Sequence, residues 1–362
     1  MIDEVYVSNY KSVLSLRLLL ARVNVFIGGR GSGKTNILEA LYLLSFGSSF
    51  RTRKDEHFLR HGAGEMALEG KFSAVSGEQT DILLKTSRGH KEIRLDGKAV
   101  KDRRQIIGRF PCIIFCHDDI TYITGTPDRQ RIFFNQTLSL KDPLFLDVLG
   151  RYTRALKQRN AALREKNSGV ARLFDEELVI AGLQISRMRR ELADEFSVFF
   201  ARLFSEIFEK KEQPGDAGVK IRYLPSWRGE DAGEVMRTLN EKSSQDILFS
   251  TTTTGPHRDR FRFFLREKDF CAAASTGQIR LASLILRAAQ AEFFLSRSGR
   301  KPILLLDDVL LEMDPDRRKR FLEHLPPCEQ AFFTFLPDEQ FHSYRKTDTL
   351  VYKVRGGRVE SV

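Results

Sequence analysis

One short glycine-rich stretch carries the residues with the clearest chemical meaning. Residues 28–36 read Gly-Gly-Arg-Gly-Ser-Gly-Lys-Thr-Asn and match the phosphate-loop pattern G-x-x-x-x-G-K-T. Glycines allow backbone conformations closed to other residues, so successive N–H groups and a helix N-terminus can converge on phosphate oxygens. Lys34 is expected to reach the β- and γ-phosphates of ATP, and the Thr35 hydroxyl to hold Mg²⁺. The predicted ATP-binding residues are Gly28, Gly29, Arg30, Gly31, Ser32, Gly33, Lys34, Thr35 and Asn36.

The segments on either side of this loop have the periodicity that such a site requires. Residues 23–27 are mostly β-branched or aromatic, which predicts a buried strand. The apolar residues of 37–43 recur at helical spacing. Strand, loop and helix therefore follow one another in the order of a phosphate-binding loop.

Two adjacent carboxylates follow a second buried-strand signal. Residues 303–306 read Ile-Leu-Leu-Leu and are followed by Asp307 and Asp308. A carboxylate at the end of such a strand lies beside the phosphate loop and can hold the Mg²⁺ shell, and the next one can polarise water. We predict Asp307 as the metal residue and Asp308 as the catalytic general base. A helix N-cap after the strand would explain one aspartate but not two.

A third motif lies shortly before this strand. The chain inserts far more residues between Lys34 and Asp307 than a compact phosphate-loop core needs. A serine hydroxyl, a glycine N–H and a helix N-terminus can together form a second phosphate cradle. In the layout of an ABC-type signature motif this cradle is too far from the phosphate loop to serve the same ATP, so a second subunit must supply it. The predicted signature residues, acting in trans, are Ser275, Thr276, Gly277 and Gln278.

Composition and charge limit the classes of binding partner that this chain can have. The 362 residues include 59 Lys and Arg against 48 Asp and Glu, a net charge of +11, which favours a polyanion such as nucleic acid. No apolar run approaches the length of a membrane span, and Asp3 and Glu4 stand where a signal peptide would be basic and then apolar. We expect a cytoplasmic protein with no membrane partner. The four cysteines lack paired C-x-x-C spacing, so we expect reduced thiols.

The chain changes character along its length. Residues 1–137 and 216–362 carry mixed α/β signals, whereas 138–215 lose the strand signals and read as a helical region. Apolar residues from Ile185 to Ile207 step by threes and fours, which predicts a helix of at least six turns. Basic residues outnumber acidic ones over 151–190, and a solvated helix face and a polyanion-contacting face are both open interpretations. The basic residues are Arg151, Arg154, Lys157, Arg159, Arg187, Arg189 and Arg190.

Taken together, these motifs resemble the RecF family of bacterial ABC-type recombination-mediator ATPases. The resemblance spans nearly the whole chain and implies an α/β, ABC/SMC-like P-loop ATPase head with an inserted short helical, coiled-coil-like arm. The segments 1–137 and 216–362 would form the head, and 138–215 the arm. The further matching segments are Ser49-Phe50-Arg51-Thr52, Leu59-Arg60-His61-Gly62, residues 125–131, residues 156–160 and Gly255-Pro256-His257-Arg258-Asp259.

The resemblance implies an ATP-dependent DNA-binding protein of recombinational DNA repair and replication-fork maintenance. ATP would join two copies into a homodimer, the dimer would bind DNA at single-strand gaps or junctions, and slow hydrolysis would release it. With RecO and RecR it would promote RecA loading. No nuclease activity is expected. The cofactors implied are ATP and Mg²⁺.

Two departures from the family pattern bear on these expectations. Arg30 stands where the family usually has Asn, which adds a cation beside the phosphates or the dimer seam. His117-Asp118 stands where the family has Pro-Glu or Pro-Asp, so a glutamine-loop role near Asp118 stays open. A nucleotide-binding adaptor without hydrolysis and another SMC-like repair ATPase are the alternative interpretations.

DNA contacts are expected among arginines and lysines that could equally form surface ion pairs. His257 is interpreted as a structural histidine. The candidate DNA contacts are Arg51, Arg53, Lys54, Arg129 and Arg131, with Arg258 and Arg260 as further possibilities.

Overall fold

The computed structural model describes residues 1–52, 55–74, 77–87, 90–100, 102, 104–107, 109–208, 218–339 and 348–362. The strands are β1 (Ile2–Tyr10), β2 (Val13–Leu19), β3 (Val23–Ile27), β4 (Glu65–Ser73), β5 (Gln79–Ser87), β6 (His90–Leu95), β7 (Lys98–Ala99), β8 (Cys112–Phe115), β9 (Val219–Leu224), β10 (Arg260–Leu265), β11 (Lys268–Asp269), β12 (Ile303–Leu306), β13 (Gln330–Phe335), β14 (Thr349–Arg355) and β15 (Arg358–Ser361).

The α-helices alternate with these strands in the first and last parts of the chain and dominate the middle. They are α1 (Lys34–Phe46), α2 (Arg104–Ile107), α3 (Thr121–Thr124), α4 (Pro127–Lys141), α5 (Phe145–Arg164), α6 (Ser168–Arg172), α7 (Asp175–Phe208), α8 (Ala232–Glu241), α9 (Ser243–Phe249), α10 (Phe270–Ala273), α11 (Thr276–Ser298) and α12 (Pro315–Glu323).

The chain divides into two compact units. Unit 1 comprises Met1–Asp118 with Phe294–Val362, and unit 2 comprises Asp119–Phe293. The segment 138–215, expected to form an arm, falls inside unit 2 together with 216–293. The division of the chain into head and arm segments stays a prediction.

Unit 1 contains a sheet with the strand order β15-β14-β3-β13-β12-β8. The strands β14, β3, β13, β12 and β8 are parallel, and β15 adds an antiparallel edge. All residues of β8, β12 and β13 are buried, as parallel strands covered on both faces require. Because β3 and β12 flank β13 and run the same way, the loops that follow them meet at one edge of this sheet.

A second sheet of unit 1 is antiparallel, in the order β2-β1-β4-β5-β6-β7. Its strands alternate buried and exposed residues, which leaves one face for the core and one for solvent. Its strands β1, β5 and β6 contribute to the mixed α/β signals of residues 1–137.

Unit 2 is built around the long helix α7, whose 34 residues confirm the predicted helix of at least six turns. Its buried face includes Ile185, Leu192 and Phe196, and α5 and the strand β9 pack against it. A Cβ on Gly182 would lie 2.4 Å from the ring of Trp227, so glycine is required for this close approach. Among the described residues, no helix has the length and apolar character needed to cross a membrane.

Candidate nucleotide site

The loop after β3 has the backbone shape of a phosphate cradle. Gly33 caps α1 with a φ of 111°, a left-handed conformation that disfavours residues with a side chain. A Cβ on Gly28 would lie 2.4 Å from the carbonyl oxygen of Val354 and 2.5 Å from Oγ of Ser32. The glycine spacing of the motif is therefore a steric requirement, and it leaves the N-terminus of α1 open to an anion.

Lys34 is buried inside this loop, with only 3% of its side chain exposed. Its Nζ donates to the carbonyl oxygens of Gly28 at 2.7 Å and Gly29 at 3.2 Å, and lies 3.5 Å from Oδ2 of Asp308. The loop and the carboxylate thus hold one ammonium group at the centre of the cradle. A γ-phosphate entering the loop would meet this charge directly.

The two predicted metal residues, Thr35 and Asp307, are in direct contact. The Thr35 hydroxyl donates to Oδ1 of Asp307 at 3.0 Å. Burial raises the pKa of Asp307 to about 6, the nearby charge of Asp308 adds to the shift, and the hydrogen bonds from Thr35 and Thr334 oppose it. A desolvated carboxylate beside a hydroxyl is a hard oxygen pair of the kind that Mg²⁺ prefers, and a cation would stabilise its ionised form.

Asp308 adopts a left-handed backbone conformation with a φ of 51°. Its N–H donates to Oγ1 of Thr334 at 2.7 Å, and the Thr334 hydroxyl in turn lies 2.7 Å from Oδ1 of Asp308. Thr334 was not predicted from the sequence. It is a polar residue near the carboxyl end of the otherwise largely apolar strand β13, and that pattern is the signal that could have identified it.

The Ser32 hydroxyl tests whether this cradle suits a nucleotide. Its Oγ is buried and has no hydrogen-bond partner among the described residues. A buried polar group left unsatisfied costs about 1–3 kcal/mol, and a phosphate oxygen would accept its hydrogen bond. The orphan hydroxyl, the glycine cradle, Lys34 and the Thr35–Asp307 pair fit a nucleoside triphosphate with Mg²⁺.

The remaining predicted loop residues lie at the border of this site. Arg30 is exposed, and the Asn36 amide donates to Oγ of Ser12 at 2.9 Å. Arg51 is half exposed, and its Nη1 lies 3.7 Å from Oε2 of Glu39, which is buried in α1. The candidate DNA contacts Arg53 and Lys54 lie outside the described residues.

The predicted signature residues belong to unit 2, where α11 begins at Thr276. The Ser275 N–H donates to Oε1 of Gln278 at 2.8 Å, and the Gln278 N–H donates to Oγ of Ser275 at 3.3 Å. This reciprocal capping box fixes the helix start while Ser275, Thr276 and Gly277 stay exposed. A Cβ on Gly277 would meet no atom within 4 Å, so packing does not explain the glycine.

Three of the predicted basic residues, Arg131, Arg159 and Arg189, are buried in unit 2. For Arg159 and Arg189 of the 151–190 cluster, burial contradicts both the solvated-face and the polyanion-contacting interpretation. Arg159 donates to Oδ1 of Asp175 and to Oδ2 of Asp246, both at 2.7 Å. Arg189 donates to Oδ2 of Asp259 at 2.8 Å. Both guanidinium groups are paired with buried carboxylates, so they belong neither to a solvated face nor to a polyanion-contacting one.

Arg131, predicted as a DNA contact, is the third buried arginine. It bonds to the carboxylate of Asp128 and donates to the carbonyl oxygen of Asp259 at 2.6 Å. A buried guanidinium with these partners does not face a DNA backbone, so we remove Arg131 from the candidate contacts. Arg129 and Arg258 are exposed, and so are Arg154 and Lys157 of the cluster.

Asp118 and His257 are the other predicted positions whose place in the fold is described. Asp118 is an exposed residue of the short 3-10 turn His117–Ile120. Nδ1 of His257 lies 2.6 Å from the Tyr152 hydroxyl, and its Nε2 lies 2.9 Å from the carbonyl oxygen of Thr252. Burial is the main cause that lowers the pKa of His257 to about 4, so the ring is neutral at pH 7 and serves a structural role.

Comparisons with known proteins converge on one family. The family model described as "RecF/RecN/SMC N terminal domain" matches residues 1–358. A protein of Treponema pallidum named "DNA replication and repair protein RecF" is 37% identical over 92% of this chain and 93% of its own length. A protein of Leptospira interrogans with the same name is 31% identical, with 94% of each chain covered.

Solved structures give the same result for the fold. A structure described as "recombination mediator protein RecF-ATP in RecFOR pathway" superimposes with a TM-score of 0.88 at 27% identity, covering 100% of this chain and 97% of the other. An Smc head bound to a domain of ScpA superimposes with a TM-score of 0.55 at 15% identity, over 100% and 96% of the two chains. The second likeness concerns the fold alone. The predicted α/β, ABC/SMC-like head fold is confirmed.

Proposed function

Because the chain belongs to the RecF family, within the group of RecF, RecN and SMC N-terminal domains, we propose that it is an ATPase that binds DNA during recombinational repair and replication-fork maintenance. ATP binding joins two copies, the joined copies hold DNA, and slow hydrolysis of ATP lets them separate. The free energy of the nucleotide is used for a change of assembly and not for chemistry on DNA.

The observation that carries this proposal is the cluster at the edge of the parallel sheet in unit 1. Thr35 is hydrogen-bonded to Asp307, and Lys34 lies within ion-pair distance of the adjacent Asp308. In the proposed reaction Lys34 stabilises charge on the transferred phosphoryl group, and Asp308 accepts a proton from the attacking water. Mg²⁺, when bound beside Thr35 and Asp307, neutralises phosphate charge. Solved relatives described as complexes of RecF with ATP support ATP as the ligand.

The proposed dimer depends on the residues Ser275–Gln278. Their helix start is rigid because of the capping box, and it is exposed. We propose that it contacts the γ-phosphate of the ATP bound by the partner copy, which would explain an exposed glycine that no packing requires.

The proposed partners follow from the relatives. One solved relative is described as belonging to the RecFOR pathway. We propose that this chain likewise works with RecO and RecR at single-strand gaps in DNA and promotes RecA loading in the bacterial cytoplasm. The net charge of +11 supports a DNA partner.

Binding to a fluorescent gapped duplex, with and without ATP, tests this proposal. The measurements are anisotropy, molecular mass and ATP turnover for the wild type, Lys34→Met and Lys98→Met. Lys98 is an exposed residue of β7, so its variant makes the same change away from the site. We expect ATP-dependent mass doubling and DNA binding that only Lys34→Met loses.

Two results would change this conclusion. DNA binding that is equal with and without ATP in all three proteins would contradict the nucleotide switch. ATP-dependent binding without turnover would instead favour an adaptor that binds ATP but does not hydrolyse it.

A further inference from the structure

The three-stranded sheet of unit 2, in the order β11-β10-β9, has one strongly basic face. Val219 and Ile221 of β9 and Phe261 and Phe263 of β10 are buried. The alternate residues point to the opposite side, where Leu224 and the cations of both strands are exposed and Phe264 is half-buried. We call this side the basic sheet face after its four cations, Lys220, Arg222, Arg260 and Arg262.

The strand register places like charges together on this face. Arg262 of β10 lies directly opposite Arg222 of β9, and Arg260 lies opposite Leu224. Residues opposite one another in an antiparallel pair have Cα atoms about 4.5–5.5 Å apart, and like charges in such a pair destabilise the sheet. Carboxylates beside Arg222 and Arg262 offset part of this repulsion, and a negatively charged partner would offset the rest.

Two carboxylates lie beside these four cations. Glu267 pairs with Lys220 at 3.2 Å and also with Arg222, and Asp269 lies 3.5 Å from Arg262. Hydrogen bonds from Lys220 and Arg222 lower the pKa of Glu267, so it is ionised at neutral pH. All three pairs are solvent-exposed, and ion pairs in water are weak and exchange readily. They leave the face with more positive than negative charge and open to exchange partners.

The single aromatic ring at this face indicates which part of a nucleic acid it would contact. The guanidinium of Arg222 lies 4.6 Å from the ring centroid of Phe264. A ring covered in this way is not an open platform for an unstacked base, which single-strand recognition uses. The Cα atoms that carry these cations are about 5 Å apart across the strands and about 6.7 Å apart along them, a repeat that suits a row of phosphates.

We propose that the basic sheet face binds the phosphate backbone of duplex DNA. This inference rests on the proposed DNA-binding function and adds the place and the mode of contact. Contact is through charge and releases counterions, so it is independent of base sequence and weakens as salt rises. Glu267 competes with phosphate for Lys220 and Arg222 and limits the affinity.

The test compares three variants with the wild type in binding to a fluorescent, blunt-ended duplex over a series of salt concentrations. Arg222→Gln with Arg262→Gln removes two charges of the face, and Glu267→Gln frees two cations. Arg237→Gln is the matched control, because Arg237 is an exposed residue of α8 in the same unit. Thermal unfolding and ATP binding confirm that each variant is folded.

We expect the double variant to lower the slope of log affinity against log salt by about two and to weaken binding roughly 5- to 10-fold per lost contact near 0.1 M salt. Glu267→Gln should tighten binding several-fold, and Arg237→Gln should match the wild type. Glu267→Gln carries much of the argument, since a purely structural ion pair would not limit DNA affinity.

Three outcomes would overturn the inference. A double variant that binds duplex as Arg237→Gln does would contradict it while leaving the proposed function intact. A loss confined to single-stranded DNA would contradict the assignment to duplex. A wild type that binds the gapped duplex but no blunt-ended duplex at any salt concentration would contradict this inference alone, and one that binds neither would contradict the proposed function as well.

Discussion

The hydroxyl of Thr334 lies 2.7 Å from Oδ1 of Asp308 and accepts a hydrogen bond from the N–H of the same aspartate. It also lies 3.3 Å from Oδ1 of Asp307. Thr334 can do this because β13 lies between β3, which leads into the phosphate loop, and β12, which leads into the two aspartates. One side chain in the central strand thereby orients the carboxylate proposed as the general base.

Replacing Thr334 with valine keeps the shape of the side chain and removes the hydroxyl. We expect kcat for ATP hydrolysis to fall roughly 10- to 100-fold, because hydrogen bonds to charged groups contribute about 1.5–3 kcal/mol. The Kd for ATP should change little, since Thr334 contacts the aspartates and not the phosphate loop. The acid limb of the pH–rate profile should move to higher pH, because the hydroxyl lowers the pKa of Asp307.

Thr334→Ser is the matched control, as it restores the hydroxyl and removes only a methyl group. Steady-state turnover, ATP titration and the pH–rate profile separate positioning from general loss of structure. A valine variant with the turnover and the pH profile of the wild type would show that Thr334 does not position Asp308.

Arg159 and Arg154 lie on the same helix, and their removal should have very different consequences. Arg159 is buried and bonds to Asp175, Asp246 and Oγ1 of Thr252, the last at 2.8 Å. Arg159→Ala leaves two buried carboxylates without their cation and should lower the free energy of unfolding by about 3–5 kcal/mol. Arg154 is exposed, and Arg154→Ala should stay within about 0.5 kcal/mol of the wild type.

Urea denaturation followed by circular dichroism measures both changes. The same variants distinguish a structural role of Arg159 from a DNA-contacting role. Loss of DNA affinity with unchanged stability in Arg159→Ala would restore the DNA-contacting role. Similar stability of the two variants would contradict the buried ion-pair network.

Prediction from the sequence succeeds at the phosphate loop, where the signals are local. The strand β3, the helix α1 and the strand β12 were predicted correctly because their periodicity is local and the phosphate-loop pattern fixes their order. Residues within this pattern, such as Lys34 and Thr35, are brought to Asp307 and Asp308 by the parallel order of the strands.

Residues whose environment depends on distant partners could not be predicted in this way. Whether Arg159 is buried depends on Asp246, which lies 87 residues away in the sequence. Thr334 gains its importance from Asp308, 26 residues before it. Residue type and local spacing carry no information about such pairs, so a buried cation and a surface cation look alike in the sequence.

Asp307 links stability to function through its raised pKa of about 6. The folded protein without nucleotide holds this proton more tightly than the unfolded chain does, in which an aspartate has a pKa near 3.9. Above pH 6 the group is ionised in both states, and its ionisation then costs the folded state stability. Asp307→Asn, which cannot ionise, should raise the free energy of unfolding by up to about 3 kcal/mol above pH 6, and this gain should shrink as pH falls from about 6 towards 4.

Nucleotide should reverse the order of stability. In the proposed site, Mg²⁺ with ATP should stabilise the wild type by binding the folded state, and this gain should require the ionised Asp307 that the variant lacks. Thermal unfolding at pH 5 and pH 8, with ATP and either Mg²⁺ or EDTA, measures both effects. Asp81→Asn, at an exposed position on β5, is the control for loss of one negative charge and should follow the wild type in every condition. An Asp307→Asn protein that is less stable than the wild type at pH 8 without nucleotide, or that gains as much from Mg²⁺, would contradict the role of Asp307 as the strained metal residue.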